Sequence, residues 1–181
     1  MFSTNKLTFH EDDYKQTELI PRENFFRVKK ELSKLDIKSS ENFSKNGYSE
    51  MHSREPSYVP LEVKKIPKEG FYLALKEESI IFFDEIFKGY SSHAEKINNC
   101  EGFGYENYVI LYNYNNNCIL SCWIIYQKIS DTLNTYPVHF KSVLEKLGIK
   151  WDLLLVDWNE SILIDLSNTE GLNNYINILH T

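Results

Sequence analysis

The sequence is poor in most of the features that would name an activity. It has only three cysteines, Cys100, Cys118 and Cys122. An odd number without framework spacing argues against a disulfide-stapled secreted scaffold and fits a reducing cytoplasm. Cys118 and Cys122 are four apart, which on a regular strand puts them on one face; they form no CxxC pair, and buried thiols are expected. Uninterrupted apolar runs reach only four or five residues, as at Ile80 to Phe83, so no membrane-spanning helix is expected. The opening MFSTNKLTFHEDDYKQ has no apolar core and turns acidic at Glu11, so no secretory leader is expected.

Catalytic signatures are equally scarce. His10, His52, His93, His139 and His180 are scattered, with no HExxH and no pairing with cysteine. No GxSxG elbow occurs, and the serines beside His93 in GYSSH (89–93) do not make a triad by adjacency alone. GFG at 102–104 lacks the remainder of any dinucleotide or phosphate loop. No catalytic residue, cofactor or metal is therefore expected. Tyr105, Tyr108, Tyr112, Tyr114 and Tyr126 would suit a binding platform, but aromatic strands more often pack a sheet.

What the chain does have is a core and a lopsided charge. With 42% hydrophobic and 14% aromatic residues over 181 positions, it can bury the interior of one globular domain. The net charge is −6, and acids and bases nearly balance until residue 150. The last 31 residues then carry Asp152, Asp157, Glu160, Asp165 and Glu170 with no lysine or arginine. Such a surface repels phosphate backbones and attracts basic proteins, which disfavours direct nucleic-acid binding.

Periodicity predicts one α+β domain over 1–181, its sheet mostly antiparallel. Phe25, Val28, Leu32 and Leu35 predict an amphipathic helix over 22–35 with a lysine-rich outer face. Residues 36–58 read as a long polar, mobile loop. YVPLEV (58–63) and GFYLAL (70–75) read as strands. Residues 79–89 are predicted helical from the acids at the start and Lys88–Gly89 at the end, although Ile80 to Phe83 would also suit a strand. A central hairpin is predicted over 106–127 around an Asn-rich turn, with Val109, Leu111, Leu120 and Ile124 on one face and Ile110, Tyr112, Ile119 and Trp123 on the other. Pro137 opens a predicted helix over 137–147 that Gly148 closes.

A second central hairpin is predicted over 151–167, turning at Asn159–Glu160. Leu154 then faces Asp165 and Asp157 faces Ile162. One face becomes Leu153, Leu155, Ile162, Ile164 and Leu166, with Asp157 at its rim, where it is also placed to hydrogen-bond the turn backbone. SNTE then reads as a capping box with Ser167 as N-cap and Glu170 three residues on, opening a helix over 169–179.

The C-terminal pattern LLLVDWNESILIDLSN…LNNYI, with Asp157, Trp158 and Asp165, resembles the ending of several bacterial immunity protein families of contact-dependent inhibition and related polymorphic toxin systems. That resemblance implies a small cytoplasmic antitoxin that binds one cognate toxin domain, frequently a basic nuclease, by stoichiometric occlusion. On this reading Asp152, Asp157, Trp158, Glu160 and Asp165 form the toxin-binding surface, with carboxylates in place of phosphates. Two alternatives stand beside it. One is a small hydrolase or metal-dependent nuclease using Asp157, Glu160 or Asp165, although such chemistry also wants a lysine or histidine and the last 31 residues offer only His180. The other is an adaptor that binds some different protein.

Overall fold

Backbone pairing is dominated by one seven-stranded antiparallel sheet. A computed structural model describes residues 5–44, 47–48, 59–90, 93–127 and 137–179. The chain runs β1 (Lys6–Phe9), a 3₁₀ turn, β2 (Thr17–Pro21), α1 (Phe25–Asn42) and a short ladder of β3 (Phe43–Ser44) with β4 (Gly47–Tyr48). A 3₁₀ turn at Leu61–Lys64 leads to α2 (Lys68–Lys76), β5 (Ile81–Phe83), β6 (Glu85–Lys88) and β7 (Glu95–Lys96). Next come β8 (Cys100–Tyr105), β9 (Tyr108–Asn115), β10 (Cys118–Tyr126), α3 (Val138–Trp151), β11 (Leu153–Asp157), β12 (Ile162–Asp165) and α4 (Thr169–Ile178).

The large sheet has the order β12-β11-β2-β10-β9-β8-β5. On one face α2, α3 and α4 bury Phe71, Leu75, Phe140, Leu144, Leu147 and Ile176 against Ile110, Tyr112, Ile124 and Leu155. On the other, α1 covers Leu154, Val156 and Trp158 with Val28 and Leu32. The small sheet β1-β6-β7 covers Val109, Leu111, Trp123 and Ile125 beside it. Helices and sheet thus form an α+β domain, as the periodicity predicts. No helix among the described residues is long and apolar enough to cross a membrane.

Several local expectations give way. Residues 79–89 are two strands, β5 and β6, rather than a helix. Phe82 packs on Phe103 at 4.9 Å and on Tyr72 at 5.4 Å, and Gly89 takes φ +121°, so the apolar run lies flat on the sheet edge. Of the expected strand at 58–63, Tyr58 lies outside the described residues and Leu61 to Val63 belong to a 3₁₀ turn, while the expected strand at 70–75 lies within α2. There Phe71 and Leu75, one helical turn apart, are buried while Leu73 is exposed, so period 3.6 wins over alternation. Helix α1 continues to Asn42, which removes the first part of the expected 36–58 loop; residues 45–46 and 49–58 lie outside the described residues.

The central hairpin forms, and β8 adds a third strand to it. Its two faces differ from strict alternation because the register shifts between Ile119 and Ser121, leaving Leu120 as a bulge. Trp123 therefore shares a face with Leu111, and Ile124 with Ile110, the reverse of the expected assignment. The same extra residue puts Cys118 and Cys122 on opposite faces. The C-terminal hairpin has the predicted register, Leu154 with Asp165 and Asp157 with Ile162. It lies at the sheet edge rather than in the centre, because β12 has no outer neighbour among the described residues.

Gly148 does not end α3. The helix runs on to Trp151, and Asp152 (φ +56°) takes the left-handed closing position. Gly148 is instead a contact point: a Cβ there would lie 2.3 Å from Leu166 Cβ. The cap of α4 is Asn168, whose Oδ1 accepts from the backbone N–H of Glu170 and Gly171, not Ser167. Gly148→Ala should therefore overpack the α3–hairpin contact and lower the free energy of unfolding by about 1–3 kcal/mol, read from denaturant midpoints. A midpoint equal to the parent's would show that Leu166 relaxes without strain.

Candidate functional site

The two ends of the C-terminal hairpin serve different purposes. At the end near α1, Arg22 follows β2 directly and reaches three groups. Its Nε–H donates to Asp152, its two terminal nitrogens donate to Asp165, and Ser167 Oγ lies 3.0 Å away. Lys64 Nζ adds a longer contact to Asp152 at 3.4 Å and pairs with Glu23 at 2.9 Å. The Arg22 guanidinium holds the Asp165 carboxyl well below the usual carboxylate range, and it lowers Asp152 too. Two of the five C-terminal acids are thus balanced by bases far away in sequence.

At the opposite end, cross-strand pairing sets one row: Ile110, Ile124, Thr17, Asp157 and Ile162 lie side by side on the helix-covered face. Asp157 is only 5% exposed. Its Oδ1 accepts from the backbone N–H of Asn159 and Glu160, both at 3.1 Å, and this shapes the turn that Ser161 (φ +52°) completes. Its Oδ2 accepts from the Tyr175 hydroxyl at 2.8 Å. Burial first and the Asp157 carboxylate second push Tyr175 far above the ordinary phenol range, so it stays a donor.

Above this row opens a cleft of about 180 Å³, lined by acids, amides and rings from both halves of the chain. Asp13 enters from the 3₁₀ turn that His10 caps, through Nδ1 accepting from the Asp12 N–H. Gln16 is fixed because its carbonyl accepts from Trp158 N–H at 2.9 Å. Tyr108 stacks on Phe140 at 4.2 Å and meets Tyr126 edge-on at 5.8 Å. Phe140 is placed by Glu106, whose carboxylate accepts from the first free N–H groups of α3, those of His139 and Phe140. Burial pushes the Tyr108 phenol up to about 12. Tyr126 is 70% exposed at the rim.

Of the residues expected at a binding surface, Asp157 lines this cleft and Glu160 is exposed on the adjoining turn. Trp158 is 7% exposed; it packs under α1, and its indole N–H donates to Glu18 at 2.9 Å. Asp157, Glu160 and Asp165 are not brought to one point. Asp165 pairs with Leu154, three strand residues from Asp157, a separation of about 10 Å on alternate faces. Among the described residues no group of three histidine, cysteine or acidic side chains is arranged to hold a metal. Among the described residues, the cleft lining contains no histidine, cysteine, serine, lysine or arginine. It offers hydrogen-bond acceptors and aromatic faces, which suits recognition of a donor or a cation. Sequence reasoning passed over Asp13, Gln16 and Tyr175 because an N-terminal acid, a loop amide and a core-spaced tyrosine carry no local mark of a shared site.

The charge clamp makes a pH-dependent prediction. Asp152 and Asp165 titrate lower in the folded chain than in the unfolded one, so their stabilisation is complete above the unfolded carboxylate range, about pH 4. It is lost as pH falls through the folded values. Arg22→Gln should cost on the order of 1 kcal/mol at pH 7 after solvent screening, and should flatten the loss of stability between about pH 4 and pH 2. Chemical unfolding of both proteins across that range measures it; parallel curves would contradict the clamp. Comparison with family models, curated proteins and solved structures returned no match.

Proposed function

We propose that the chain is an immunity-type protein that binds a basic toxin domain stoichiometrically and covers its working surface. The observation that carries this reading is the sheet end where Asp13 and Asp157 line a cleft with an exposed Tyr126, with Glu160 exposed on the adjoining turn and no lysine or arginine among the described residues of the lining. Acids in that position are not consumed by a clamp of the kind that Arg22 makes with Asp152 and Asp165. The proposed surface is therefore drawn at the turn end of the hairpin.

The mechanism is physical rather than chemical. A carboxylate-rich rim steers a basic surface into encounter, and tyrosines supply rigid contact area at low entropic cost. A nuclease is the partner class that fits best, because a surface built to grip phosphates is positive where this one is negative. Resemblance of the C-terminal pattern to immunity families supports the same reading.

The first test is the gene neighbourhood, where a toxin-like domain should be encoded directly upstream of this chain. Expressed alone that domain should arrest growth, and co-expression of this chain should relieve the arrest. In stopped-flow mixing, the association rate should fall by at least about tenfold between low and high salt. The double reversal Asp13→Lys/Glu160→Lys should slow association several-fold at low salt while leaving the unfolding midpoint unchanged. Growth arrest that this chain does not relieve would overturn the proposal; a rate independent of salt and of both substitutions would remove this surface from it.

A further inference from the structure

We infer that the cleft at the turn end of the sheet is a receptor for one arginine side chain presented by the partner. Size comes first. At about 180 Å³ the cleft is smaller than the roughly 300–1,000 Å³ typical of sites for whole small molecules, but it admits the head of one long side chain. Composition comes second. Its acceptors are two carboxylates, Asp13 and Asp157, with the amides of Gln16 and Asn159 beside them, and its walls include the Tyr108, Tyr126 and Phe140 rings.

Acceptor capacity supports the same ligand. A carboxylate has about four lone-pair sites. Asp157 fills three of them, with two backbone N–H groups and the Tyr175 hydroxyl, which fixes the carboxylate in the cleft lining. Asp13 lies on an exposed turn and makes no ion pair or side-chain hydrogen bond among the described residues. One acceptor is thus fixed and one is free to close on an incoming donor.

Guanidinium is favoured over ammonium for two reasons. Its planar fork donates to two oxygens at once, and its flat face stacks on a tyrosine ring, whereas an ammonium is a strongly hydrated point charge. Tyr126, 70% exposed and held edge-on by Tyr108, presents such a ring face at the mouth. This inference deepens the proposed toxin-binding reading and rests on its premise that this end of the sheet meets a partner. The ligand chemistry is tested on the chain alone.

The probes are N-acetyl-arginine amide and its lysine and norleucine counterparts, titrated at constant ionic strength into the isotopically labelled full chain. Backbone amide shifts are followed by NMR. The arginine probe should give saturable shifts centred on residues 13, 16, 126 and 159, with half-saturation at about millimolar concentration, as befits one side chain. The lysine probe should bind at least about fivefold more weakly, and norleucine should leave the cleft unchanged. Asp13→Asn and Tyr126→Ala should each weaken arginine by about three- to tenfold; both side chains are exposed, so the unfolding midpoint should hold. Glu95→Gln, on the small sheet, should have no effect.

Equal binding of lysine, shifts spread over every exposed acid, or unchanged affinity in both variants would overturn the inference. Its failure is distinguishable from failure of the functional reading. A cleft that saturates with arginine in a chain that binds no toxin keeps the site and loses the function. Toxin binding that both variants leave intact keeps the function and loses the site.

Discussion

The antiparallel pairing of β2 on both of its sides is the constraint on which the molecule depends. Isolated two-stranded hairpins are marginal in water. Here the β9–β10 and β11–β12 hairpins become one sheet only because Thr17–Pro21 fills the space between them, ladder-bonded to both. The residues flanking that strand set its two ends. Arg22, just beyond its C-terminus, ties α1 to the end of α3 and the end of β12, while Thr17 at its N-terminus stands between Ile124 and Asp157. A segment of five residues therefore positions both the ion-pair clamp and the cleft.

Charge distribution in the fold differs from charge distribution along the chain. A tail of five acids without a base reads as one negative surface. Folding brings Arg22 and Lys64 to Asp152 and buries Asp157 under Tyr175, so the tail is divided into a neutralised end and an acidic end. The distinction matters because a carboxylate already held by a guanidinium offers little to a second cation, while one with a free lone pair still attracts it. Sequence separations of 130 and 143 residues between Arg22 and its two aspartates put that pairing beyond any local pattern.

Legibility followed the range of the forces involved. The register of β11 with β12 was readable because a tight turn joins two short apolar runs and fixes their pairing within fifteen residues or so. Helix α4 was readable for the same reason, although its cap shifted by one residue from Ser167 to Asn168, as competing small polar side chains allow. The α2 segment and residues 79–89 were misread in opposite directions, because short apolar runs fit both periods and tertiary contacts decide. Phe71 packs edge-on against Tyr112 at 5.3 Å, and Phe82 lies against Phe103; neither contact is local. The bulge at Leu120 and the filling strand β2 left no compositional trace. Of the candidate site, the hairpin turn and its acids were visible, while Asp13 and Tyr175 depended on a convergence of chain ends that only the fold supplies.

The bulge has a covalent corollary. By turning Cys118 and Cys122 to opposite faces it keeps two neighbouring thiols from ever meeting across one surface, and a disulfide demands closely opposed Cβ atoms. Cys100 and Cys122 are buried, and burial pushes Cys100 up to about 12 and Cys122 higher than a free thiol, so both stay protonated and inert. The described fold thus contains no covalent crosslink and no pair of sulfurs poised to make one. In the folded chain the thiols of Cys100 and Cys122 are thus shielded from the redox potential around them.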